Sequence, residues 1–535
     1  MSAPGRPVDL LIHGGTVVDG TGAPAYRAEV AAEGNRLRLL HPDAPVPDAR
    51  RRIDAAGLVV APGFIDLHSH AGLTILAEPR HEPKVRQGVT TEVIGVDGNS
   101  YAPFPRRADL DDFVVLNAGL DGRPDIAPDW ATVAEQLRRL DRRVAVNIAC
   151  VVGNAALRIA AVGWDDRPAD PRALADERAL LREAMEEGAF GVSSGLDYPP
   201  GAYASTDELA ALLAEAAKLG GFYHTHVRYP LGDGFLDPFR EAIEIGRRSG
   251  GGPVHITHFY HRATYAGTPE QMLALVDEAR AGGQDVTFDM YPSEWASTRL
   301  LILLPTWIQA GGLTRLKQRL ADRSARDRIR AELSSRGRLF AGDRAWAELR
   351  VGAFTKPDNL RWEGRTLAEV MAETGRDAVD AVCDLLLEED LRVNEVTPGP
   401  HLEGMRSFWR HPGAMVGTDS VFIGAKPSPR TYGSFPRILG QFVREERLTS
   451  LEEAIRRMTS APAARLGLTD RGRLADGLAV DLVVFDPAQV RSNATYEEPR
   501  RYPDGIPYVI VNGTLVVDDG EHTGALPGRA LRRPA

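Results

Sequence analysis

The chain contains very little cysteine: Cys150 and Cys383 are the only two in 535 residues. Both lie in apolar stretches, so we expect buried thiols and no disulfide, as is typical of a cytoplasmic protein. No apolar run is long enough to span a membrane, and the first residues lack the apolar core of a signal peptide. The net charge is −10, and no basic cluster with interleaved aromatic residues occurs. The sequence therefore predicts a cytoplasmic protein with neither a nucleic-acid nor a membrane partner.

The two ends of the chain share a pattern of short apolar runs separated by Gly, Asp and Pro. Such runs occur at 8–12, 16–22 and 58–61, and again at 481–487 and 508–513. The last of them ends in Asn512-Gly513, a dipeptide typical of a tight β-hairpin turn. We therefore predict a small β-sandwich built from residues 1–61 and 475–535, which flanks a central domain at 62–474.

Strand-like and helix-like segments alternate through the central region. The strand-like runs lie at 64–70, 90–95, 144–149, 190–194, 221–226, 254–258, 286–290 and 414–419. This alternation predicts an α/β fold, a TIM-like (β/α)8 barrel. A charged helical stretch follows the seventh run, and we interpret it as an insertion at about 305–350.

His68 and His70 give the clearest chemical signal in the sequence. They are two residues apart at the end of the first predicted barrel strand, after the breaker pair Pro62-Gly63. Side chains of a strand alternate between its two faces, so both imidazoles point to the same side. Two imidazoles placed in this way can bind one divalent metal ion, although a buried histidine pair without a metal is also common.

Three further residues occur at the ends of later predicted strands: His226, His258 and Asp419. A barrel brings the carboxyl ends of its strands to one mouth, so these side chains can meet the histidine pair there. An aspartate at such a mouth can both bind a metal and transfer a proton to or from water. We therefore predict a metal site with Asp419 as its proton-transfer group.

Over nearly its whole length, the sequence resembles the N-acyl-D-amino-acid deacylases (D-aminoacylases) of the amidohydrolase superfamily. The similar segments are PGFID at 62–66, QGVTT at 87–91, SSGLDYPPG at 193–201, THVR at 225–228, YGSFPR at 432–437, MTSAPA at 458–463 and RGRLADG at 471–477. The resemblance implies zinc-dependent hydrolysis of the amide bond of a small N-acylated amine, specifically an N-acyl-D-amino acid, with one or two zinc ions per chain.

The resemblance also implies a ligand set. Deacylases of this family resemble one another in having a cysteine at the end of the second strand, and Asp97 stands at that position here. A carboxylate is a harder ligand than a thiolate, but it binds zinc and can bridge two ions. By this carry-over, Asp97, His226 and His258 form the tighter site, and His68, His70 and Asp419 form the second. An Asp-Gly turn without a ligand role is the alternative for Asp97.

Recognition of the substrate carboxylate requires fixed cations or hydrogen-bond donors. Our candidates are Arg228, Arg299 and Tyr198, because a guanidinium pairs with a carboxylate in a planar fork. His224 shares a strand face with His226, which predicts a supporting or oxyanion-binding role. By the same alternation His255 falls opposite His258, so we expect it to lie outside the barrel.

Two alternatives remain at this stage. A cyclic-amide hydrolase of the hydantoinase or dihydroorotase kind would carry a lysine on the fourth strand. The five lysines of this chain lie outside the predicted strands, at Lys84, Lys218, Lys317, Lys356 and Lys426. A non-catalytic scaffold of the same fold would show eroded ligands, whereas only Asp97 departs from the family set. The sequence leaves the formation of a homo-oligomer open.

Overall fold

The computed structural model describes residues 7–40, 45–262, 266–336 and 343–534. The strands before and within the barrel are β1 (Val8–His13), β2 (Thr16–Val17), β3 (Tyr26–Arg27), β4 (Glu29–Glu33), β5 (Arg36–Leu40), β6 (Ala49–Asp54), β7 (Val59–Pro62), β8 (Phe64–Asp66), β9 (Val89–Ile94), β10 (Asn147–Cys150), β11 (Val152–Gly153), β12 (Gly191–Gly195), β13 (Phe222–His226), β14 (Val254–Ile256) and β15 (Val286–Met290). The later strands are β16 (Trp295–Arg299), β17 (Arg350–Gly352), β18 (Asn394–Pro398), β19 (Ala414–Val416), β20 (Leu482–Phe485), β21 (Tyr508–Val511), β22 (Thr514–Asp518) and β23 (Glu521–His522).

Helices follow most of the barrel strands. The first group is α1 (Thr74–Ala77), α2 (Glu82–Val85), α3 (Arg107–Leu116), α4 (Ala118–Asp121), α5 (Val133–Leu140), α6 (Asn154–Ala161), α7 (Pro171–Glu186), α8 (Thr206–Lys218), α9 (Asp237–Arg248) and α10 (Pro269–Ala281). The second group is α11 (Leu313–Ala321), α12 (Arg323–Arg336), α13 (Asp343–Glu348), α14 (Leu367–Thr374), α15 (Ala378–Glu388), α16 (Leu402–Arg410), α17 (Arg430–Arg437), α18 (Leu451–Met458) and α19 (Ser460–Arg465). Within the described residues, none of these helices combines the length and the apolar composition needed to cross a membrane.

Both ends of the chain contribute to the flanking β-sandwich, as predicted. One sheet has the order β5-β4-β1-β6, and the other has the order β23-β22-β21-β20-β7-β2-β3. In the second sheet the C-terminal strand β20 pairs antiparallel with the N-terminal strand β7. Buried side chains of both ends, among them Ile12, Val484 and Ile510, form one apolar cluster between the sheets. The exact boundaries at 61/62 and 474/475 stay predictions.

The central strands pair in parallel in the order expected for a barrel. They form the runs β10-β9-β8 and β11-β12-β13-β14-β15-β19, and only Val151 separates β10 from β11. The first and last strands meet through a bridge between Ser69 and Ser420 and through a hydrogen bond from the Leu67 N–H to the Val416 carbonyl, at 3.3 Å. The α/β fold class is thus confirmed, and the ends of β8 and β19 are joined by backbone hydrogen bonds that lie just beyond the two strands.

The insertion after the seventh barrel strand contains a sheet as well as helices. Between β15 and β19 lie α11 to α16 and the antiparallel sheet β16-β18-β17. The predicted range of about 305–350 includes α11, α12 and α13, and its residues 337–342 lie outside the described chain. Strand β16 reaches the barrel mouth, where the hydroxyls of Thr298 and Tyr198 are 2.8 Å apart. The sheet therefore contributes to the part of the insertion that covers the mouth.

Candidate metal centre and active site

The six predicted ligands converge at the carboxyl ends of the barrel strands. His68 and His70 follow β8, Asp97 follows β9, and His226 is the last residue of β13. His258 follows β14 and Asp419 follows β19. All six are buried, and the most exposed of them, Asp419, retains 7% of its accessible surface. Residues separated by more than 350 positions in the sequence thus share one site.

Asp97 lies at the centre of the cluster. Its Oδ2 is 3.4 Å from His68 Nε2 and 3.6 Å from His70 Nε2. The same oxygen is 3.7 Å from His226 Nδ1 and 3.8 Å from His258 Nε2. The two latter nitrogens are 2.9 Å apart, so both face the same point. Two overlapping groups of donor atoms result, and Asp97 belongs to both.

The donor set fits a divalent metal ion. Both ring nitrogens of the fully buried His68 have no hydrogen-bond partner, and neither does Asp97 Oδ1. Buried polar atoms in folded proteins are nearly always paired, so these orphaned atoms require a partner that protein side chains do not supply. Imidazole nitrogen and carboxylate oxygen are ligands that zinc accepts.

The backbone at three of the ligands is left-handed. The φ angles of Asp97, His258 and Asp419 are +52°, +34° and +49°. Such angles are uncommon outside glycine and cluster at functional sites, where the surroundings hold them in place. Each of these residues comes two or three positions after its strand ends, so the left-handed turn directs the side chain into the mouth.

A second set of residues orients the ligands from behind. Asp121 Oδ1 is 2.8 Å from His70 Nδ1, and Asp197 Oδ2 is 3.1 Å from His226 Nε2. The Tyr101 hydroxyl donates a hydrogen bond to the other oxygen of Asp121, at 2.6 Å. A carboxylate on the far nitrogen of a ligand imidazole fixes its tautomer and raises its basicity. The sequence analysis did not identify Asp121 or Asp197.

The electrostatics of the cluster favour a positive ion. Burial opposes protonation of His226, but the carboxylates of Asp197 and Asp97 outweigh it and raise its pKa to about 10. Burial likewise opposes protonation of His70, yet Asp121, Asp419 and Asp97 raise its pKa well above the usual value. Burial opposes ionisation of Asp97, and the surrounding histidines nevertheless hold its pKa well below the usual range. The pocket therefore attracts positive charge, which a bound metal would supply in place of protons.

A layer of polar side chains lies deeper in the barrel. His224 Nε2 is 3.0 Å from the Leu67 carbonyl, and burial lowers the pKa of His224 to about 3, aided by His68 and His255. The ring of His255 stacks on that of His224 at 5.4 Å, and its Nε2 is 2.9 Å from Asp289 Oδ2. The prediction that His255 lies outside the barrel is wrong, because alternation breaks at the left-handed His258. His224 supports the site from below and does not line its cavity.

The predicted substrate-binding residues Tyr198, Arg228 and Arg299 differ in their positions relative to the cavity. Tyr198 lines the cavity above the ligands. Arg228 donates to Glu241 and to the carbonyls of Ala202 and Ala204, and it does not line the cavity. Arg299 lies under Tyr198, with its guanidinium 4.9 Å from the ring centre.

Besides Asp197, the sequence analysis missed other charged residues of the cavity wall, and two of them, Arg430 and Glu395, have polar atoms without a partner. Arg430, which begins α17, has Nη2 at 2.8 Å from Asp419 Oδ2, while its Nε and Nη1 have no hydrogen-bond partner. Glu395 on β18 is buried, and its Oε2 also lacks a partner. The signal for Arg430 was its position two residues before the family segment at 432–437. Nothing in the sequence pattern marks Glu395, because it belongs to the insertion.

Comparison with known proteins agrees with this site. A model of the amidohydrolase family matches residues 51–288 and 324–517. The chain is 36% identical to an N-acyl-D-glutamate deacylase of Alcaligenes xylosoxydans xylosoxydans, over 99% of this chain and 97% of the relative. It is 35% identical to a D-aminoacylase of the same organism, over 99% of each.

A solved structure gives the same result. The crystal structure of N-acyl-D-glutamate deacylase from Bordetella bronchiseptica, complexed with zinc and a phosphonate inhibitor, superposes with a TM-score of 0.81 at 31% identity, covering 98% of this chain and 100% of that one. Together with the ligand cluster, these similarities show that the chain belongs to the amidohydrolase family, in its group of N-acyl-D-amino-acid deacylases.

Proposed function

We propose that this protein is a zinc-dependent hydrolase that cleaves the amide bond of N-acyl-D-amino acids to give a carboxylate and a free D-amino acid. The observation that carries the proposal is the convergence of four histidines on Asp97, with Asp419 beside them at the cavity. The relatives named for this activity cover almost the whole chain.

We assign the zinc ligands as the sequence predicted: Asp97, His226 and His258 for one ion, and His68, His70 and Asp419 for a second, with Asp97 shared. A zinc ion held by these residues would supply a Lewis acid that makes water acidic enough to act as a nucleophile near neutral pH.

Asp419 is the proton-transfer group of the proposed reaction. Its Oδ1 is 3.2 Å from His70 Nε2, and its carboxylate also lines the cavity. Burial opposes its ionisation, but Arg430 and His68 lower its pKa, so the group is a carboxylate that can accept a proton. It takes the proton of the attacking water and delivers it to the amide nitrogen as the C–N bond breaks.

Arg430 is the candidate for binding the substrate α-carboxylate. It is fully buried in the cavity wall and retains two nitrogens without a partner. A guanidinium with free N–H groups binds a carboxylate in a planar, bidentate fork. The nitrogens of Arg228 are already engaged by Glu241 and by two carbonyls, so its contacts do not support the predicted role. Tyr198 also lines the cavity, with its hydroxyl 2.8 Å from Thr298 Oγ1, and we assign that hydroxyl to stabilising the oxyanion.

The alternatives have less support. Strand β12 reads GVSSG, so the lysine expected of a cyclic-amide hydrolase is absent from the fourth strand. The convergence of all six ligand positions is not expected of a scaffold that has lost catalysis.

The decisive experiment loads the purified protein with zinc and measures amine release from matched N-acetyl-D- and N-acetyl-L-amino acids, with metal analysis of the same sample. We expect release from the D series only. Ring opening of a hydantoin without any release of amine would instead support the cyclic-amide alternative, and a protein that binds no zinc would support the scaffold.

We propose a cytoplasmic location, whereas the sequence leaves homo-oligomer formation open. The two cysteines are free and buried, which is consistent with a reducing compartment. Cell fractionation would test the location, and sedimentation velocity would determine the oligomeric state.

A further inference from the structure

A buried lysine lies directly beneath the rim of the candidate metal centre. The side chain of Lys84, at the end of α2, is fully buried. Its Nζ contacts Asp66 Oδ2 and Thr418 Oγ1, and it donates to Ser420 Oγ at 2.9 Å. An ammonium is almost never buried without partners, because its desolvation is costly. Here three oxygen partners compensate it.

Asp66 connects this lysine to the first barrel strand. Asp66 Oδ1 accepts the N–H of His68 at 3.1 Å and the N–H of Thr418 at 2.8 Å. One carboxylate thus holds the backbone at a ligand of the first strand and at the residue before Asp419. The nearby Glu92 has its own partner, since its Oε1 is 2.8 Å from His81 Nε2.

The residues on both sides of Asp419 are those that Lys84 contacts. Asp419 has a left-handed backbone, and its N–H donates to the His68 carbonyl at 2.9 Å. The Ser420 carbonyl accepts the N–H of His70 at 3.1 Å. Backbone bonds therefore hold the main chain on both sides of Asp419 to the end of the first strand. The Thr418 and Ser420 side chains add a second connection to that strand, through Lys84 and Asp66.

We propose that Lys84 is a positioning residue: by bridging Asp66, Thr418 and Ser420, it joins the first and last barrel strands and orients the Asp419 carboxylate toward His68 and His70. This inference rests on the proposed hydrolase function, because the orientation matters only if Asp419 transfers a proton. Lys84 touches neither the ligands nor the cavity, so it acts through Asp419 and not on the substrate.

The test removes the bridge in two ways. Lys84→Met deletes the ammonium, and the pair Thr418→Val with Ser420→Ala deletes the hydroxyls while it leaves the Lys84–Asp66 ion pair intact. For each folded variant we expect kcat to fall at least tenfold while KM stays within about threefold. We also expect the zinc held by His68, His70 and Asp419 to be lost in dialysis, with the other zinc retained. Lys218→Met is the matched control. The Lys218 side chain is exposed, and its Nζ is 3.5 Å from Glu215 Oε2, which is longer than a normal hydrogen bond.

If Lys84→Met does not fold because Asp66 is left uncompensated, the hydroxyl pair of substitutions carries the test by itself. A purely structural role would lower the melting temperature but leave kcat and the zinc content of folded protein unchanged, and that result would overturn the proposal. Failure of the proposed function is distinguishable: the unsubstituted protein would then release no amine, while zinc retention would still report on Lys84.

Discussion

Arg430 and Asp419 form a buried ion pair at the cavity, with Arg430 Nη2 at 2.8 Å from Asp419 Oδ2. The other oxygen of Asp419 faces His70 and His68. The aspartate therefore lies between the metal ligands and the cation that we assign to the substrate carboxylate. The group proposed for substrate binding and the group proposed for proton transfer are thus in direct contact. A substrate carboxylate bound by Arg430 would compete with Asp419 for its guanidinium.

Asp419→Asn should lower kcat about 10³-fold or more, because the amide cannot accept the proton of water. Asparagine tolerates the left-handed backbone, so the fold should persist. Zinc analysis should find the ion of Asp97, His226 and His258 still bound. Full turnover in the zinc-loaded variant would refute the proton-transfer role.

Arg430→Lys should raise KM for N-acyl-D-amino acids by roughly 10- to 100-fold, because lysine cannot form the bidentate fork. Steady-state kinetics with Arg228→Lys alongside provide the comparison. A large rise of KM in the Arg228 variant, with none in the Arg430 variant, would favour the assignment made from the sequence.

Asp97→Cys should retain zinc, because a thiolate is a good zinc ligand. Substituting cobalt(II) in that variant should produce a thiolate-to-metal absorption band that the aspartate protein lacks. Asp97→Ala, by contrast, should weaken zinc binding at least about 100-fold, because the oxygen near all four histidines is lost. Equal zinc affinity in the alanine variant would show that Asp97 is only a turn residue.

Glu395 predicts a pH dependence of substrate binding. Burial raises its pKa to about 8, opposed in part by Arg262 and Arg430. The carboxyl is thus largely neutral at pH 7 and becomes negative above pH 8, where it repels an anionic substrate. We expect KM to rise roughly threefold to tenfold between pH 7 and 9.5. In Glu395→Gln this rise should disappear, whereas the exposed control Glu388→Gln should keep it.

Glu177 on α7 predicts a pH dependence of stability. Its carboxylate is buried without a hydrogen-bond partner, while the nearby Arg158 pairs with Glu208 at 2.6 Å. Burial and then the charge of Glu208 raise the pKa of Glu177 to about 8. The folded state therefore binds this proton more tightly than the unfolded state, whose pKa is about 4.3. The contribution to stability is complete below that value and is lost as the pH rises through 8.

Glu177→Gln should remove this loss. We expect it to increase the free energy of unfolding at pH 9 by roughly 2 to 4 kcal/mol, with little change at pH 5. Thermal melts at both pH values measure the effect, and Glu183→Gln on the exposed side of the same helix is the control. A gain of equal size at both pH values would contradict the titration argument.

The convergence of the six candidate ligands could be predicted from the sequence because two regularities of the fold bring them together. Alternation along a strand places His68 and His70 together, and parallel strands deliver their carboxyl ends to one mouth. The ligand role of Asp97 could be predicted only with the family resemblance, because the dipeptide Asp97-Gly98 is equally consistent with an ordinary turn.

The rest of the site does not follow such regularities. Arg228 is next to a ligand histidine in the sequence, but the chain turns away after β13 and its guanidinium bonds elsewhere. Arg430 lies at the start of α17, and Glu395 lies in the insertion. Neither belongs to a barrel strand, so the alternation of strand side chains does not predict that they reach the mouth. Lys84 was interpreted only as a lysine outside the strands, because burial of its ammonium depends on contacts with residues more than 330 positions away.

The left-handed backbone at Asp97, His258 and Asp419 also restricts which ligands can evolve at this site. Aspartate and asparagine adopt that conformation readily, whereas most other side chains pay about 1 to 2 kcal/mol for it. Exchanges between aspartate and asparagine are therefore the most accessible mutational routes at positions 97 and 419. Any other donor group at these turns, including the cysteine that the family has at position 97, bears this backbone cost in addition to the demands of the metal.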